Sequence, residues 1–520
     1  MPALREVSCS IRPGERVLLS GASGSGKSTL GLCLSGLIPL SLDADMSGVA
    51  LVDGLPTMAY PHGDLAERVG TVFQDPTSQF TMLTVDDEVA FGLENLGVPP
   101  AEMPARVQAA LESVGLAERT SWRIDRLSGG QQQRLALAAT LAMQPAALVL
   151  DEPTAHLDPR NARSLYSAIA SAADATDATL VFIEHDLDRL LPHLPERALL
   201  LDRDGLLVAD ALLPDLFRDP ATARSWQALG VRLPTPTALA LDESEYTSLP
   251  VSFQEGVRWL RDHRWHGAPI EPAAPRSLGE DVVRARGLRL RYSSPAGSYL
   301  ALRDVDLTVA EGELVALVGA NGSGKTTLLR ALTGLLPLEE GAIRIGGMDL
   351  RGGTPRQVAS LVAHVFQNPE AGFVADTVED EVAYGPRALG WPVPEVEAHA
   401  RTLLERFGLQ VLGRANPFTL SQGQKRRLSV ATSLVLGPRV LLLDEPTFGQ
   451  DRQSAEALLD EIARLRDQGL AIVVATHDLS LVRRIADRVV ALADGEVLFD
   501  GPYSALIADA ALVERIGQEV

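Results

Sequence analysis

The sequence is poor in cysteine and in long apolar stretches. It contains two cysteines, Cys9 and Cys33, among 520 residues. Two cysteines alone cannot build a disulfide framework or a cysteine zinc site, which fits a reducing compartment. Even the most apolar stretch, 198–213, contains three aspartates and an arginine, so no run reaches the roughly 18 apolar residues that a span needs. We therefore expect no membrane-spanning helix, and the N-terminal residues have no apolar signal-peptide core.

Basic residues are in deficit. The chain has 47 Lys and Arg against 68 Asp and Glu, which gives a net charge of -21 and a pI near 4.9. Such a chain is repelled by nucleic-acid phosphates and by anionic lipid, so its bulk charge argues against a nucleic-acid partner. Hydrophobic residues at 46% and charged residues at 22% are ordinary for a globular protein. The length predicts two to four domains.

The most informative feature of the sequence is an internal duplication. The distance from Ser128 to Asp151 equals that from Ser421 to Asp444, at 23 residues. Six motifs occur twice in the same order: GASGSGKST (21–29) and GANGSGKTT (319–327), VFQDP (72–76) and VFQNP (365–369), TVDDEVAFG (84–92) and TVEDEVAYG (377–385), LSGGQQQR (127–134) and LSQGQKRR (420–427), LVLDEPT (148–154) and LLLDEPT (441–447), IEHDL (183–187) and ATHDL (475–479). This pattern predicts two homologous domains.

A stretch of different composition separates the two copies. Residues 233–281 carry six prolines, eight acidic residues and four arginines, without a strand-like apolar run. We interpret this stretch as an acidic linker with one short helix over 254–262, in which His263 and His266 are solvated. The predicted domains are therefore 1–232 and 282–520, joined by the linker 233–281.

Each copy alternates short apolar runs with helical stretches. RVLLSG (16–21) and LVALVG (314–319) are apolar runs closed by glycine, and similar runs precede both DEPT motifs and both histidine motifs. A helical stretch over 131–144 lies between two such runs. Buried strands that alternate with helices predict an α/β fold with a mostly parallel sheet.

The pattern GxxxxGK[ST] occurs once in each copy, after a strand and before a helix, which is the context of a phosphate-binding loop. Glycine lets the backbone N–H groups face phosphates, lysine adds a charge, and the hydroxyl of Ser28 or Thr326 is a Mg²⁺ ligand. The predicted ATP-binding residues are Gly21, Ala22, Ser23, Gly24, Ser25, Gly26, Lys27, Ser28 and Thr29, with Gly319, Ala320, Asn321, Gly322, Ser323, Gly324, Lys325, Thr326 and Thr327.

Carboxylates, histidines and glutamines follow the other strands. Asp151 and Asp444 end apolar runs and are predicted to bind Mg²⁺, and the next residues, Glu152 and Glu445, are predicted to polarise the attacking water. His185 and His477 follow these glutamates by 33 and 32 residues, which favours a role near the γ-phosphate. Gln74 and Gln367 follow the VF dipeptides and can add an oxygen ligand for Mg²⁺ or water.

These motifs together resemble those of the ATP-binding-cassette family, in which LSGGQ is the distinguishing signature. The resemblance implies that the domains also contain an antiparallel β part and a helical subdomain, and that they pair head to tail within the chain. One ATP would then be held by the loop of Lys27 with Ser421 and Gly423, and the other by the loop of Lys325 with Ser128, Gly129 and Gly130. Closure completes each site and couples hydrolysis to motion.

Two departures from the family pattern concern the site built on Lys27. The second signature has Gln422 in place of a glycine, which adds bulk and restricts the backbone beside a phosphate. In the second copy Tyr292 is expected to stack on adenine. Because 4–7 matches 302–305, the first copy lacks the counterpart of 284–299. It therefore lacks its first strand and adenine-stacking segment, or its start codon lies upstream. We hypothesise that the site built on Lys325 dominates turnover.

The segments after VFQ[DN]P resemble the ATPase subunits of energy-coupling factor transporters, as does TFGQD (447–451). That resemblance implies a peripheral protein at the cytoplasmic face of the membrane that energises import of a vitamin or a transition-metal ion. Its partners would be an integral membrane scaffold and a substrate-binding membrane subunit. An acidic face made of Asp86, Asp87, Glu88, Glu379, Asp380 and Glu381 would suit arginines of a partner, although the alternative of solvated helix acids stays open.

Two other classes of tandem ATPase remain alternatives. A fused ATPase of a sugar-type importer would differ mainly in the segment after the glutamine motif. A ribosome-associated ATPase of the ABC-F kind is expected to have a long basic linker, whereas this linker and this chain are acidic. A DNA-repair ATPase would need cysteine zinc modules that two cysteines cannot supply.

Overall fold

The structure, a computed structural model, describes residues 2–22, 24–42, 44–61, 63–154, 157, 159–184, 187–190, 195–242, 248–262, 278–294, 297–447, 450 and 452–517. The chain divides into two compact units, Met1–Gly267 and Ala268–Val520. Among the described residues, none of the helices combines the length and the apolar character that crossing a bilayer would require.

The first unit is built on a six-stranded sheet of order β4-β5-β6-β1-β7-β8. The strands of the whole unit, of which β2 and β3 lie outside this sheet, are β1 (Arg16–Gly21), β2 (Leu51–Val52), β3 (Leu55–Pro56), β4 (Val69–Val72), β5 (Ala147–Asp151), β6 (Thr179–Ile183), β7 (Arg197–Leu201) and β8 (Leu207–Leu212). All pairs in this sheet are parallel except the pair of β7 with β8. The predicted strand 16–21 is therefore confirmed, and its apolar residues are buried because helices cover the sheet.

The helices of the first unit include the one predicted over 131–144. They are α1 (Lys27–Leu34), α2 (Leu37–Leu40), α3 (Asp64–Arg68), α4 (Val85–Asn95), α5 (Met103–Ser113), α6 (Gly129–Ala142), α7 (Pro159–Thr176), α8 (Leu187–Leu190), α9 (Leu213–Arg218), α10 (Pro220–Ala228), α11 (Thr235–Asp242) and α12 (Phe253–Asp262). Because β5 and β6 neighbour each other and β6 neighbours β1, the segments that follow these three strands meet at one edge of the sheet.

The second unit repeats this sheet in the order β14-β15-β16-β11-β17-β18. Its strands are β9 (Asp281–Ser294), β10 (Gly297–Ala310), β11 (Leu314–Val318), β12 (Glu340–Ile345), β13 (Met348–Asp349), β14 (Val362–Val365), β15 (Val440–Asp444), β16 (Ala471–Ala475), β17 (Arg488–Ala493) and β18 (Glu496–Gly501). Its helices are α13 (Lys325–Leu332), α14 (Pro355–Ala359), α15 (Val378–Ala388), α16 (Val393–Arg406), α17 (Gln422–Leu434), α18 (Arg452–Asp467), α19 (Leu479–Ile485), α20 (Tyr503–Ala508) and α21 (Ala510–Arg515).

The two units differ in their antiparallel part. The second unit has a four-stranded sheet of order β10-β9-β12-β13, whereas the described residues of the first unit contribute only the two-stranded β2-β3 ladder. The residues that join this part to the main sheet still correspond: the N–H of Arg5 donates to the carbonyl of Gly205 at 2.9 Å, and the N–H of Arg303 donates to that of Gly495 at 2.8 Å.

Much of the segment that was expected to be a linker packs against the first unit. Leu241, Val251 and Trp259 are buried in the same apolar cluster as strands and helices of that unit. Thr235 is also tied to it, because its hydroxyl donates to Asp188 at 2.7 Å. The short helix expected over 254–262 is present as α12, and α11 is an additional helix. Apolar residues between the prolines, such as Leu241 and Trp259, are therefore buried on these two helices.

Candidate nucleotide-binding sites

The glycine-rich loop of each unit ends in a helix whose N-terminus has no side-chain cap. Gly26 and Gly324 are the N-cap residues of α1 and α13, with φ of 90° and 108°. A side chain at Gly26 would also meet the carbonyl oxygen of Ala3 at 2.3 Å. Glycine is required there, and it leaves the first N–H groups of the helix for an external anion.

The lysines of these loops are held over the backbone of the loop itself. Lys27 Nζ donates to the carbonyls of Gly21 at 3.1 Å and Ala22 at 2.8 Å. In the second unit, Lys325 Nζ donates to the carbonyls of Gly319 at 2.7 Å and Ala320 at 3.0 Å. Both side chains are buried. A buried ammonium beside an uncapped helix N-terminus is a donor set that fits the phosphates of a nucleotide.

The strand-end acidic pairs have the same unusual backbone in both units. Glu152 and Glu445, which directly follow β5 and β15, both have φ of 45°. Each is fixed there by its N–H, which donates to Ile183 at 2.9 Å in the first unit and to Ala475 at 2.8 Å in the second. A left-handed backbone at a non-glycine residue costs free energy, and such residues concentrate at functional sites.

In the second unit both carboxylate oxygens of Glu445 have a partner. His477 Nδ1 lies 2.8 Å from Oε1, and the Thr476 hydroxyl donates to Oε2 at 3.0 Å. Burial opposes ionisation of Glu445, but the charge and hydrogen bond of His477, the charge of Lys325 and the bond from Thr476 outweigh it. The pKa of Glu445 therefore lies below its usual value. An ionised, oriented carboxylate of this kind can polarise a water molecule.

Asp444 lies beside Glu445 and is buried at the end of β15. Burial raises the pKa of Asp444 to about 6, although a hydrogen bond from the Thr326 hydroxyl and the charge of Lys325 oppose the rise. A carboxylate that is costly to ionise in isolation is stabilised by a cation, so this position fits a metal ligand.

The metal donors expected in each site are a hydroxyl, an amide and one carboxylate. These are Ser28, Gln74 and Asp151 in the first unit, and Thr326, Gln367 and Asp444 in the second. Across the part of the chain that the structure describes, no group of three or more His, Cys, Asp or Glu forms a metal-binding cluster. An all-oxygen set with a single carboxylate fits Mg²⁺, which retains water and phosphate oxygens as ligands.

The first unit holds its glutamate differently. Gln74 Nε2 donates to Glu152 Oε2 at 2.9 Å. The position of Thr476 is occupied by Glu184, which is buried and accepts hydrogen bonds from the hydroxyls of Thr154 and Tyr166. This cluster is not predicted by the repeated motifs as such, although the exchange of ATH for IEH between the two copies signals it. Ser23 and His185 lie outside the described residues.

The signature motifs form the N-termini of α6 and α17. Ser128 and Ser421 are capping boxes with the glutamines three residues later, and their geometry is nearly identical. Gln422 occupies the first helical position of α17, as Gly129 does in α6, and neither residue has a positive φ. The backbone restriction expected of Gln422 therefore does not arise, because this position is helical with either residue, and only the added bulk remains.

Tyr292, the residue expected to stack on adenine, lies in β9 directly opposite Tyr299 of β10. The two ring centroids are 5.5 Å apart, and Tyr299 is exposed. Spacing along the chain does not predict the contact with Tyr299, because the contact depends on the register of the hairpin.

The expectation of an acidic face after the glutamine motif is wrong in part. Glu88 and Glu381 are buried. Glu88 accepts hydrogen bonds from the N–H groups of Thr81 and Met82, and Glu381 accepts them from Val374 and Ala375. Each buried glutamate therefore shapes the loop before its helix.

Apolar side chains are exposed around this segment instead. They are Leu83 and Trp122 in the first unit, and Val374, Tyr384, Val411 and Phe418 in the second. Exposed apolar side chains gathered in one region of a surface mark a place where another protein can bind.

Comparisons with known proteins identify relatives of the whole chain. A Bacillus subtilis (strain 168) protein described as a putative HMP/thiamine import ATP-binding protein is 39% identical over 516 residues, which cover 99% of this chain and 91% of that protein. A putative ABC transporter ATP-binding protein of Vibrio vulnificus (strain CMCP6) is 34% identical over 527 residues, which cover 99% of this chain and 89% of that protein.

Among solved structures, a component of the cbiONQ ABC transporter complex from Clostridium perfringens is 27% identical. The structural alignment covers 46% of this chain and 95% of that protein, with a TM-score of 0.41. This score is too low to support an argument from structural similarity. The sequence profile of the family described as ABC transporter matches residues 4–155 and 302–448. These two matches span more than half of the chain. The chain belongs to the ABC transporter family, and it carries two of that family's ATP-hydrolysing domains in tandem.

Proposed function

We propose that this chain is the tandem ATPase subunit of an energy-coupling factor importer. In this proposal it lies at the cytoplasmic face of the membrane, bound to an integral scaffold and to a substrate-binding membrane subunit, and it energises uptake of a small nutrient. The more general role, that of an ATP-binding subunit of an ABC transporter, follows from membership of the ABC transporter family. The description of the Bacillus relative, HMP or thiamine import, makes these compounds the first cargoes to test.

The observation that carries the proposal is the repeated segment after each glutamine motif. Helices α4 and α15 both begin after a loop that a buried glutamate, Glu88 or Glu381, holds by two backbone N–H groups. Exposed apolar side chains such as Leu83 and Val374 stand on those loops. A fixed loop with apolar side chains suits the docking of a helix from a membrane subunit.

We further propose that each site works with ATP and Mg²⁺. Lys27 and Lys325 would bind phosphates, the hydroxyls of Ser28 and Thr326 with Asp151 and Asp444 would hold the metal, and Glu152 and Glu445 would polarise water. His185 and His477 would contact the γ-phosphate, and Gln74 and Gln367 would bind the metal or the water. As the family resemblance implies, the signature residues Ser128, Gly129, Gly130, Ser421 and Gly423 would complete the site of the other domain.

Affinity purification from native membranes tests the transporter assignment. The tagged chain is extracted in detergent, and the proteins that accompany it are identified by mass spectrometry. Recovery of a small polytopic membrane protein with a second integral subunit is the expected result, and uptake of labelled thiamine by the reconstituted complex would identify the cargo. Recovery of ribosomal proteins, or of a sugar permease pair, would contradict the proposal while leaving the ATPase chemistry intact.

A further inference from the structure

Arg426 is an arginine buried inside the second unit, on the signature helix α17, with 2% of its surface exposed. No described carboxylate lies within ion-pair distance of its guanidinium. A buried guanidinium without a direct ion pair is unfavourable unless other groups compensate its charge. The corresponding residue of the first unit is Gln133, which is neutral. At this position of the signature helix, the buried side chain is therefore charged in the second unit and neutral in the first.

The guanidinium of Arg426 holds the backbone of the segment that carries Gln367. Its Nη1 donates to the carbonyl of Phe366 at 2.5 Å, and its Nη2 donates to the carbonyl of Gln367 at 2.6 Å. Two donors of a rigid fork on two consecutive carbonyls fix the peptide plane between them. The direction in which the Gln367 side chain leaves the backbone is thereby fixed as well.

The first unit has no equivalent fork. Gln133 Nε2 makes one long hydrogen bond, of 3.4 Å, to the carbonyl of Phe73. There the side chain of Gln74 is held directly, by its 2.9 Å bond to Glu152. The two units therefore position the same glutamine by different means: through its side chain in the first unit, and through its backbone in the second.

The charge of Arg426 also acts on the acidic pair of the second site. Its electrostatic interactions are with Asp444 and Glu445. Burial lowers the pKa of Arg426 to about 10 while these two carboxylates oppose the decrease, so the side chain remains a cation at neutral pH. Its neighbour Lys425 does not share this role, because Lys425 Nζ pairs with Glu370 at 2.5 Å, three residues beyond Gln367.

We propose that Arg426 is a positioning residue of the Lys325 site, which orients Gln367 through its backbone and supplies a buried positive charge that interacts with Asp444 and Glu445. The inference rests on the proposed roles of Gln367 and Glu445. Arg426 acts through these residues and does not contact the nucleotide, so it governs the chemical step and the use of Mg²⁺ more than the binding of ATP.

The test uses the full chain with Glu152→Gln, so that turnover reports on the Lys325 site. In this background Arg426→Gln, which installs the residue of the first unit, is expected to lower kcat about tenfold or more and to raise the half-saturating Mg²⁺ concentration several-fold. The KM for ATP and the unfolding temperature are expected to change little. Arg426→Lys keeps the charge but not the fork, so its kcat should lie between those of the parent and Arg426→Gln.

Lys425→Gln is the matched control, because it removes one charge from the adjacent buried residue without touching Phe366 or Gln367. It should leave kcat and the Mg²⁺ dependence within about threefold of the parent, because the ion pair of Lys425 is with Glu370 and not with the backbone of Phe366 or Gln367. Unchanged kinetics in a folded Arg426→Gln, or equal effects of the two substitutions, would overturn the proposal. Loss of folding in both Arg426 variants would overturn it too, since Arg426 would then be a structural residue.

Adding Glu445→Gln to the same background separates this inference from the function on which it rests. Turnover should then disappear. Turnover that survives Glu445→Gln would refute the assignment of the site, and Arg426 with it. Turnover that disappears with Glu445→Gln but ignores Arg426→Gln would refute the role of Arg426 alone.

Discussion

His477 Nδ1 lies 2.8 Å from Oε1 of Glu445, in a site where the second oxygen of that carboxylate is bonded to Thr476. The contact orients the glutamate and lowers its pKa, so Glu445 is ionised and fixed in one rotamer. In the first unit, Glu184 occupies the position of Thr476. Its carboxylate accepts hydrogen bonds from the hydroxyls of Thr154 and Tyr166, whereas the hydroxyl of Thr476 donates a hydrogen bond. Among the described residues, the two units therefore differ at the position just before the histidine of each motif, which is a threonine in the second unit and a buried glutamate in the first.

We expect His477→Ala to impair the chemical step. In a Glu152→Gln background it should lower kcat about 100-fold and leave the KM for ATP within about threefold, because it removes orientation of Glu445 and not phosphate binding. Steady-state phosphate release measures both constants. Arg484→Ala is the control: Arg484 lies on α19, the helix after His477, and the substitution removes an exposed ion pair with Asp460 of α18. Equal effects of the two substitutions would contradict the role of His477.

We expect the two sites to contribute unequally to turnover, with the Lys325 site dominant. Glu445→Gln should lower the total rate about tenfold or more, and Glu152→Gln by less than about threefold, because a buried cation, Arg426, acts on the acidic pair of the second unit, where the first unit has the neutral Gln133. Phosphate release by the full chain measures both rates, with nucleotide binding as a check on folding. Equal losses, or a larger loss for Glu152→Gln, would refute the hypothesis.

The sheets and the chemical motifs could be predicted because each is a local pattern. A strand closed by glycine and followed by GKS leaves little freedom in where Lys27 lies, and the repeated motif predicts the same position for Lys325. The predicted strand 16–21 and the helix over 254–262 are present for this reason. Hydrophobic periodicity and turn residues are sufficient for elements of this kind.

The contacts that distinguish the two sites depend on residues far apart in the sequence. Arg426 lies 59 residues from Gln367, and nothing local in QKRR indicates that its guanidinium turns inward. Glu88 and Glu381 looked like surface acids on a helix, whereas the preceding loop folds back to donate its N–H groups to them. Such contacts follow from tertiary packing, which charge patterns alone do not reveal.

We expect two nucleotides to bind per chain, one on each loop lysine. Lys27→Ala or Lys325→Ala should each reduce the stoichiometry to about one, and the double substitution should abolish binding, because a buried ammonium beside a helix N-terminus supplies much of the phosphate attraction. Equilibrium dialysis with labelled ATP measures the stoichiometry.

Removal of Mg²⁺ with a chelator should stop phosphate release in the unaltered chain. Hydrolysis that persists without divalent cations would contradict the assignment of Asp151 and Asp444.

We expect His364 to make the second unit sensitive to mild acid. Within the described part of the chain, both nitrogens of its ring are buried without a hydrogen-bond partner, and burial together with the charge of Arg330 lowers the pKa of His364 to about 4. The unfolded chain therefore binds a proton on this residue at a higher pH than the folded chain does. The contribution of His364 to the free energy of unfolding is fully present above about pH 6.5, the pKa of histidine in the unfolded chain, and it is lost as the pH falls towards 4.

The loss expected from His364 is roughly 1.4 kcal/mol between pH 7.5 and 5.5, and about 3 kcal/mol over the whole window. His364→Thr, which installs the residue at the corresponding position of the first unit, Thr71, removes the titrating group. The free energy of unfolding of both chains, from urea titrations at the two pH values, isolates the effect of the histidine from all other groups. As the pH falls, the free energy of unfolding of the unaltered chain should decrease relative to that of His364→Thr. A difference that does not depend on pH would show that His364 keeps an ordinary pKa in the folded protein.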